Sequence, residues 1–210
     1  MNVISLTNKI KSNYFDYQKL SQALEGSGHV RRDIGKLIRD KYIIRVKKGL
    51  YIWSKDLRKS PYSKEILSNL IYGPSYVSLE YALSFHGLIP ERVSVVTAVT
   101  SQRNKFFETP VGGFEYCHTH KQAYPWGVQR FVNESGEGFL LACAEKALLD
   151  YIALRIKKWG DSVSYEEFLY DDLRIDEDEI VNLDKEKVDQ LAKYYRNKAV
   201  KDFSEWFIKT

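Results

Sequence analysis

YIIRVKKGLYIW, residues 42–53, decides how the N-terminal part of this chain is read. Two short β-prone stretches, YIIRV and LYIW, flank Lys47, Lys48 and Gly49. β-Branched and aromatic residues suit a pleated strand and a glycine suits a tight reversal, so the segment reads as a two-stranded hairpin. Alternation sets Arg45 outward between Ile44 and Val46, extending a surface that ends in Lys47 and Lys48. Any solvated tip is polar, and that alone would explain two lysines. Contact with a phosphate would explain them too, and the residues upstream favour it.

Working back from the hairpin, HVRRDIGKLIRDKYI (29–43) carries Val30, Ile34, Leu37, Ile38 and Tyr42 at helical spacing. With those residues inward, Arg32, Lys36 and Arg39 form an i, i+4, i+7 stripe on the opposite face, with Gly35 beside them and Arg31 on the flank. Further back, DYQKLSQALEGSG (16–28) predicts a helix with Tyr17, Leu20 and Leu24 on one side and Gly26 and Gly28 ending it. Val3, Ile4, Leu6 and Ile10 predict another over roughly 2–12. Three helices and then a two-stranded hairpin is the order of a winged helix-turn-helix.

Long basic arms on the third helix are what a recognition helix needs, because Arg and Lys reach phosphates and bridge guanine edges. A solvated helix in a protein-binding module is the plain alternative, and Asp33 and Asp40 weaken the local field. Helix stripe and hairpin tip are positive together, which favours double-stranded DNA. The candidate DNA contacts are Arg31, Arg32, Lys36, Arg39, Arg45, Lys47 and Lys48. Tyr51 reads as packing rather than as a phosphate donor.

The charge distribution agrees. Residues 1–60 hold 14 Lys/Arg against 5 Asp/Glu, and residues 61–160 hold 10 against 9. Residues 161–190 reverse this, with 3 against 12. A basic N-terminal module points to a polyanion, while the acidic stretch reads as solvated helix surface. No stretch approaches 18 apolar residues, so no membrane span is expected. The N-terminus lacks a secretory h-region, and two cysteines are too few for a disulfide framework. A cytoplasmic protein is the expectation.

The polar run SKDLRKSPYS (54–63) places a domain boundary near residue 60, giving a winged-helix domain over 1–58 and a second domain over 61–210. In the latter, YSKEILSNLIYG and SLEYALSFHGL predict helices, the second capped by Ser75 or Ser78, and RVSVVTAVTS is β-rich. KFFETPVGGFEYCHTH and VQRFVNESGEGFLLAC predict hairpins. AEKALLDYIALRIKKW predicts a long helix with Ala147, Leu148, Tyr151 and Leu154 inward, and helices follow around 164–173, 184–197 and 198–208. The expected fold class is α+β: a winged helix-turn-helix followed by a mixed α/β domain with a small, largely antiparallel sheet and flanking helices.

Catalytic signals are weak. Glu115, Cys117, His118 and His120 share one predicted strand, Glu115 and Cys117 on one face and the histidines on the other. Two histidines at i, i+2 can ligate a metal, but no third ligand stands at a characteristic spacing. Glu145, Lys146 and Asp150 read as helix-dipole and i, i+4 pairing, and His86 before Gly87 as a helix end. There is no P-loop, no G-x-S-x-G and no H-E-x-x-H. Binding is favoured over catalysis, with no cofactor and no metal implied.

Four blocks together, IIRVKKGLYIW, SYVSLEYALSFHGLIPE, VTAVTSQRNKFFETPVGGFEYCHTH and AEKALLDY, resemble the AbiEi family, the antitoxins of type IV toxin–antitoxin systems. The resemblance covers roughly residues 15–155, and the acidic stretch beyond matches less clearly. It implies a non-enzymatic two-domain protein whose N-terminal winged helix binds inverted repeats in its own promoter, as a homodimer on DNA, and represses its operon. It also implies a C-terminal domain that counters a cognate nucleotidyltransferase toxin without necessarily forming a stable complex. A stand-alone transcription factor and a metal-dependent nucleic-acid enzyme working through Glu115, His118 and His120 are the competing expectations.

Overall fold

In the computed structural model, which describes residues 3–26, 28–156 and 164–210, a small antiparallel sheet and a larger mixed one organise an α+β chain. The first part runs α1 (Val3–Lys9), β1 (Tyr14–Asp16), α2 (Tyr17–Ala23), α3 (Val30–Arg39), β2 (Ile43–Lys47) and β3 (Leu50–Trp53). The expected hairpin is there, and its two-residue turn needs Gly49, whose φ is +85°. It carries a third strand that the sequence did not announce. Tyr14–Asp16 pairs antiparallel with β3, Tyr14 opposite Ile52, so the sheet order is β1-β3-β2. Three residues are too few to show a period, and the partner strand is distant in sequence. The predicted first helix is shorter than expected, and Ile4 is 70% exposed rather than inward. Residues 1, 2 and 27, within or beside the predicted helices, lie outside the described residues.

Side chains of this sheet alternate between two different cores. Phe15, Ile43, Tyr51 and Trp53 pack with Leu6, Leu20, Ile34 and Leu37 of the three helices. Tyr14, Val46, Leu50 and Ile52 belong instead to the core of the second part of the chain. Every residue of β3 is therefore buried, which a hairpin with one solvated face would not show. The contact also has polar ties. The Ser63 N–H donates to the Tyr14 hydroxyl at 2.6 Å, and Asn13 Nδ2 donates to Ser60 Oγ at 2.8 Å. Burial pushes the Tyr14 phenol up to about 12.

The second part contains α4 (Lys64–Ile71), β4 (Ser75–Val77), α5 (Leu79–Phe85), β5 (Val96–Thr100), β6 (Lys105–Thr109) and β7 (Gly112–His118). Then come β8 (Val128–Val132), β9 (Gly138–Ala142) and α6 (Ala144–Arg155). α7 (Tyr165–Glu167) continues into a π-helical turn at Phe168–Asp172, and α8 (Glu177–Val181), α9 (Lys185–Ala192) and α10 (Lys198–Lys209) close the chain. Both predicted hairpins form, as β6–β7 and β8–β9. The sheet is not the small, largely antiparallel one expected. It has six strands in the order β6-β7-β5-β4-β9-β8, and the β5–β7 and β4–β9 pairings are parallel. The reason is β4, three residues that read as part of a helix cap. Lying between β5 and β9, it joins the two hairpins into one sheet.

Helix α6 backs this sheet and is buried nearly all round. Ala147, Leu148, Leu149 and Ile152 are fully enclosed, while Tyr151 and Leu154, expected inward, are only half-buried. Lys146 and Asp150 are enclosed as well, their Nζ and Oδ1 3.0 Å apart with both side chains at 0% exposure. Asp150 also accepts from Tyr76, Ser78 and Tyr195, and Lys146 donates to the Ala123 carbonyl and to Tyr195. Each charge is thus paired and hydrogen-bonded, the condition under which buried charge is tolerated. The last residues of this predicted helix, 157–159, lie outside the described residues, as do 161–163 of the acidic stretch.

Candidate nucleic-acid interface

α3 forms because its apolar residues fall on one side. Ile34 and Leu37 are buried, Val30 and Ile38 half-buried, and Arg31, Arg32, Gly35, Lys36 and Arg39 exposed. The outward stripe is the one the spacing predicts. Gly35 leaves open space where a Cβ would sit, so a backbone or phosphate can approach closely there. Arg32 Nε lies 3.9 Å from Asp33 Oδ1, a long contact between an exposed arginine and a largely covered carboxylate.

Between α3 and the hairpin runs an open groove of about 810 Å3. Arg31, Arg45 and Lys48 contribute its charge, Gly35 and Gly49 leave it shallow, and Ile34, Ile38 and Tyr51 give it an apolar floor. Among the described residues no carboxylate lines it. Tyr17 completes the rim. Helical spacing alone sets it inward with Leu20, but α2 starts at the tip of the hairpin, with the Tyr17 N–H donating to the Gly49 carbonyl at 3.0 Å. Asp16 caps that helix through the Lys19 N–H at 2.7 Å. The Tyr17 ring is consequently 41% exposed and faces the groove. Tyr51 packs, as the sequence implies, against Phe15 with ring centroids 6.2 Å apart.

Lys47 departs from the expected surface. The pairing of β2 with β3 shifts register between Arg45, opposite Tyr51, and Lys47, opposite Leu50. One extra residue in a strand turns the succeeding side chains to the other face. Strict alternation would set Lys47 beside Arg45; the bulge sets it beside Leu50, facing the second sheet. There its ammonium donates to the carbonyl of Ile71 at the end of α4. Burial, and then the charge of Lys105, lower its pKa. So Arg31, Arg45 and Lys48 converge on the groove, Arg32, Lys36 and Arg39 stand on the outward face of α3, and Lys47 points away from both.

On the strand with the catalytic candidates, each of the side chains Glu115, Cys117 and His118 has a protein partner. Glu115 is engaged by Arg155, whose Nη1 and Nη2 lie 2.9 and 2.8 Å from its two oxygens, and Arg155 also grips Glu80. Those hydrogen bonds hold the Glu115 carboxyl below its ordinary range, while burial pushes the Cys117 thiol up to about 12. His118 Nδ1 is 2.7 Å from the Gln102 carbonyl oxygen. Among the described residues no group of three His, Cys, Asp or Glu stands in position to hold a metal ion, and no helix is long and apolar enough to cross a membrane.

No protein-family model matches this chain, and no curated protein matches it significantly.

Proposed function

We propose that residues 1–58 form a winged helix-turn-helix that binds double-stranded DNA, with α3 as the recognition helix and β2–β3 as the wing. One observation carries this reading: Arg31 of α3 and Arg45 and Lys48 of the hairpin line one groove that holds no carboxylate among the described residues, beside the exposed stripe of Arg32, Lys36 and Arg39. A duplex backbone presents a row of phosphates, and a groove with arginines and a lysine on its walls matches that partner. Arg32, Lys36 and Arg39 are then the residues that face base edges, and Arg31, Arg45 and Lys48 hold the strand in register.

In this reading the chain is an autorepressor of its own promoter, bound as a pair of copies to inverted repeats. The resemblance of residues 15–155 to AbiEi antitoxins adds the second activity, in which residues 61–210 counter a nucleotidyltransferase toxin in the cell. The test has two arms. Full-length protein titrated against the DNA upstream of its own reading frame should bind, and the Arg32→Ala, Lys36→Ala, Arg39→Ala triple variant should bind far more weakly. Undiminished binding by the folded triple variant refutes the assigned surface. Co-expression with the neighbouring gene tests the antitoxin role: growth rescued by the chain supports it, and unrelieved toxicity, or the absence of any toxic neighbour, leaves a plain transcription factor.

A further inference from the structure

We infer that the second sheet extends the DNA-contacting surface beyond the hairpin, with Lys105 of β6 taking a backbone phosphate on the side of the hairpin away from α3. The inference rests on the DNA-binding reading above and adds a contact from outside the N-terminal module.

The geometry begins at the bulge. It sends Lys47 across to the end of α4, where the ammonium meets the Ile71 carbonyl. The next residue, Tyr72, lies under a second ammonium, since Lys105 Nζ is 5.4 Å from its ring centroid and 5.1 Å from that of Phe107. Two lysines, one from the hairpin and one from the second sheet, thus bracket residues 71 and 72. Among the described residues no carboxylate forms an ion pair with either. Like charges placed together without a counter-charge repel, and an anion arriving from solvent relieves that repulsion.

Lys105 is also held ready. Tyr72, Phe107 and Tyr116 pack edge-on or tilted at centroid distances of 5.3 to 5.8 Å. The Tyr116 hydroxyl anchors the cluster by donating to the Ser68 carbonyl. An ammonium seated on the Tyr72 and Phe107 faces is already partly ordered and loses little freedom on binding. Its residue remains exposed at the start of an edge strand, with exposed Arg103 two residues before it.

The anion is assigned to DNA backbone by continuity. Lys48 lies in the groove on one side of the tip, and its chain neighbour Lys47 reaches the Lys105 seam on the other. A strand that tracks the groove past the wing arrives at this seam.

Full-length protein, Lys105→Ala and Lys105→Gln are titrated with a mixed-sequence duplex of about 30 base pairs by fluorescence anisotropy across a salt series, because phosphate contacts are sequence-independent and set the salt slope. Glutamine keeps the stem over the rings, and circular dichroism checks the fold of all three. Both variants are expected to bind several-fold more weakly, with the slope of log K against log salt smaller by about one unit. Wild-type protein that binds with a slope unchanged in both folded variants overturns this inference and leaves the winged-helix reading intact. Wild-type protein that binds no DNA defeats that reading, and this one with it.

Discussion

Replacing Arg45 and Lys48 together by alanine tests the groove directly. Six of the candidate cations, Arg31, Arg32, Lys36, Arg39, Arg45 and Lys48, are exposed on the proposed surface. Three of them, Arg31, Arg45 and Lys48, are assigned to the backbone, and if each neutralises one phosphate they contribute about −2.7 to the slope of log K against log salt, at ~0.9 per contact. Between ~50 and ~200 mM salt that contribution is a loss of about 40-fold in affinity. The double variant keeps one of the three, a contribution of about −0.9 and a loss of about 3.5-fold over the same range. Both side chains are exposed, so unfolding is not expected to confuse the measurement. Anisotropy titrations with one promoter duplex and one scrambled duplex give the slopes. The variant should weaken both complexes by similar factors, since backbone contacts position the protein and bases specify the site. A folded double variant with the wild-type slope would show that the strand does not run between α3 and the hairpin.

Two predictions concern the second sheet. Asp150→Ala removes the acceptor of Tyr76, Ser78 and Tyr195 and leaves the enclosed Lys146 ammonium without its counter-charge. Loss of one partner of such a pair costs about 3–5 kcal/mol, a large part of a total stability of about 5–15 kcal/mol. Urea unfolding measures it, and a loss below about 1 kcal/mol would contradict a fully enclosed pair. Arg155→Met should show its effect through pH. Hydrogen bonds from Arg155 are the main cause of the depressed Glu115 carboxyl. A group whose folded pKa lies below its unfolded value adds stability above the unfolded value, and loses it as pH falls through the folded one. The variant should therefore be less stable than wild type at neutral pH, with the gap closing as pH drops below about 4. Thermal melts at pH 7 and pH 3.5 compare the two, and a gap independent of pH would disprove the coupling.

Resemblance and periodicity reach the site unevenly. The outward stripe of α3 is legible because a helix repeats every ~3.6 residues, so the sequence places its own faces. Lys48 at a glycine turn is legible for the same local reason. Periodicity misplaces Tyr17 because its helix begins against the hairpin, and the Gly49 carbonyl that fixes that start is far along the chain. Lys105 gives a partial signal, a cation among aromatic residues, but nothing local connects β6 with the hairpin tip. Glu115 and His118 look alike as candidates on one strand, and only Arg155, from a helix distant in sequence, shows what engages the first.

Spacing, turn residues and caps act over a few residues, and they were enough for the kind and order of most elements. The basic third helix, the lysine hairpin, two further hairpins and the long helix after them are all written locally in the chain. Tertiary contacts chose which surfaces those elements present. They recruited Tyr14–Asp16 and Ser75–Val77 as strands, covered the second face of the hairpin, enclosed Lys146 with Asp150 and turned Lys47 from the groove side of the hairpin to the end of α4. Each depends on pairing or burial between residues far apart along the chain, and a one-residue bulge is enough to reverse a face. The charge of the hairpin tip is readable in KKG; which of its two lysines lies in the groove is not.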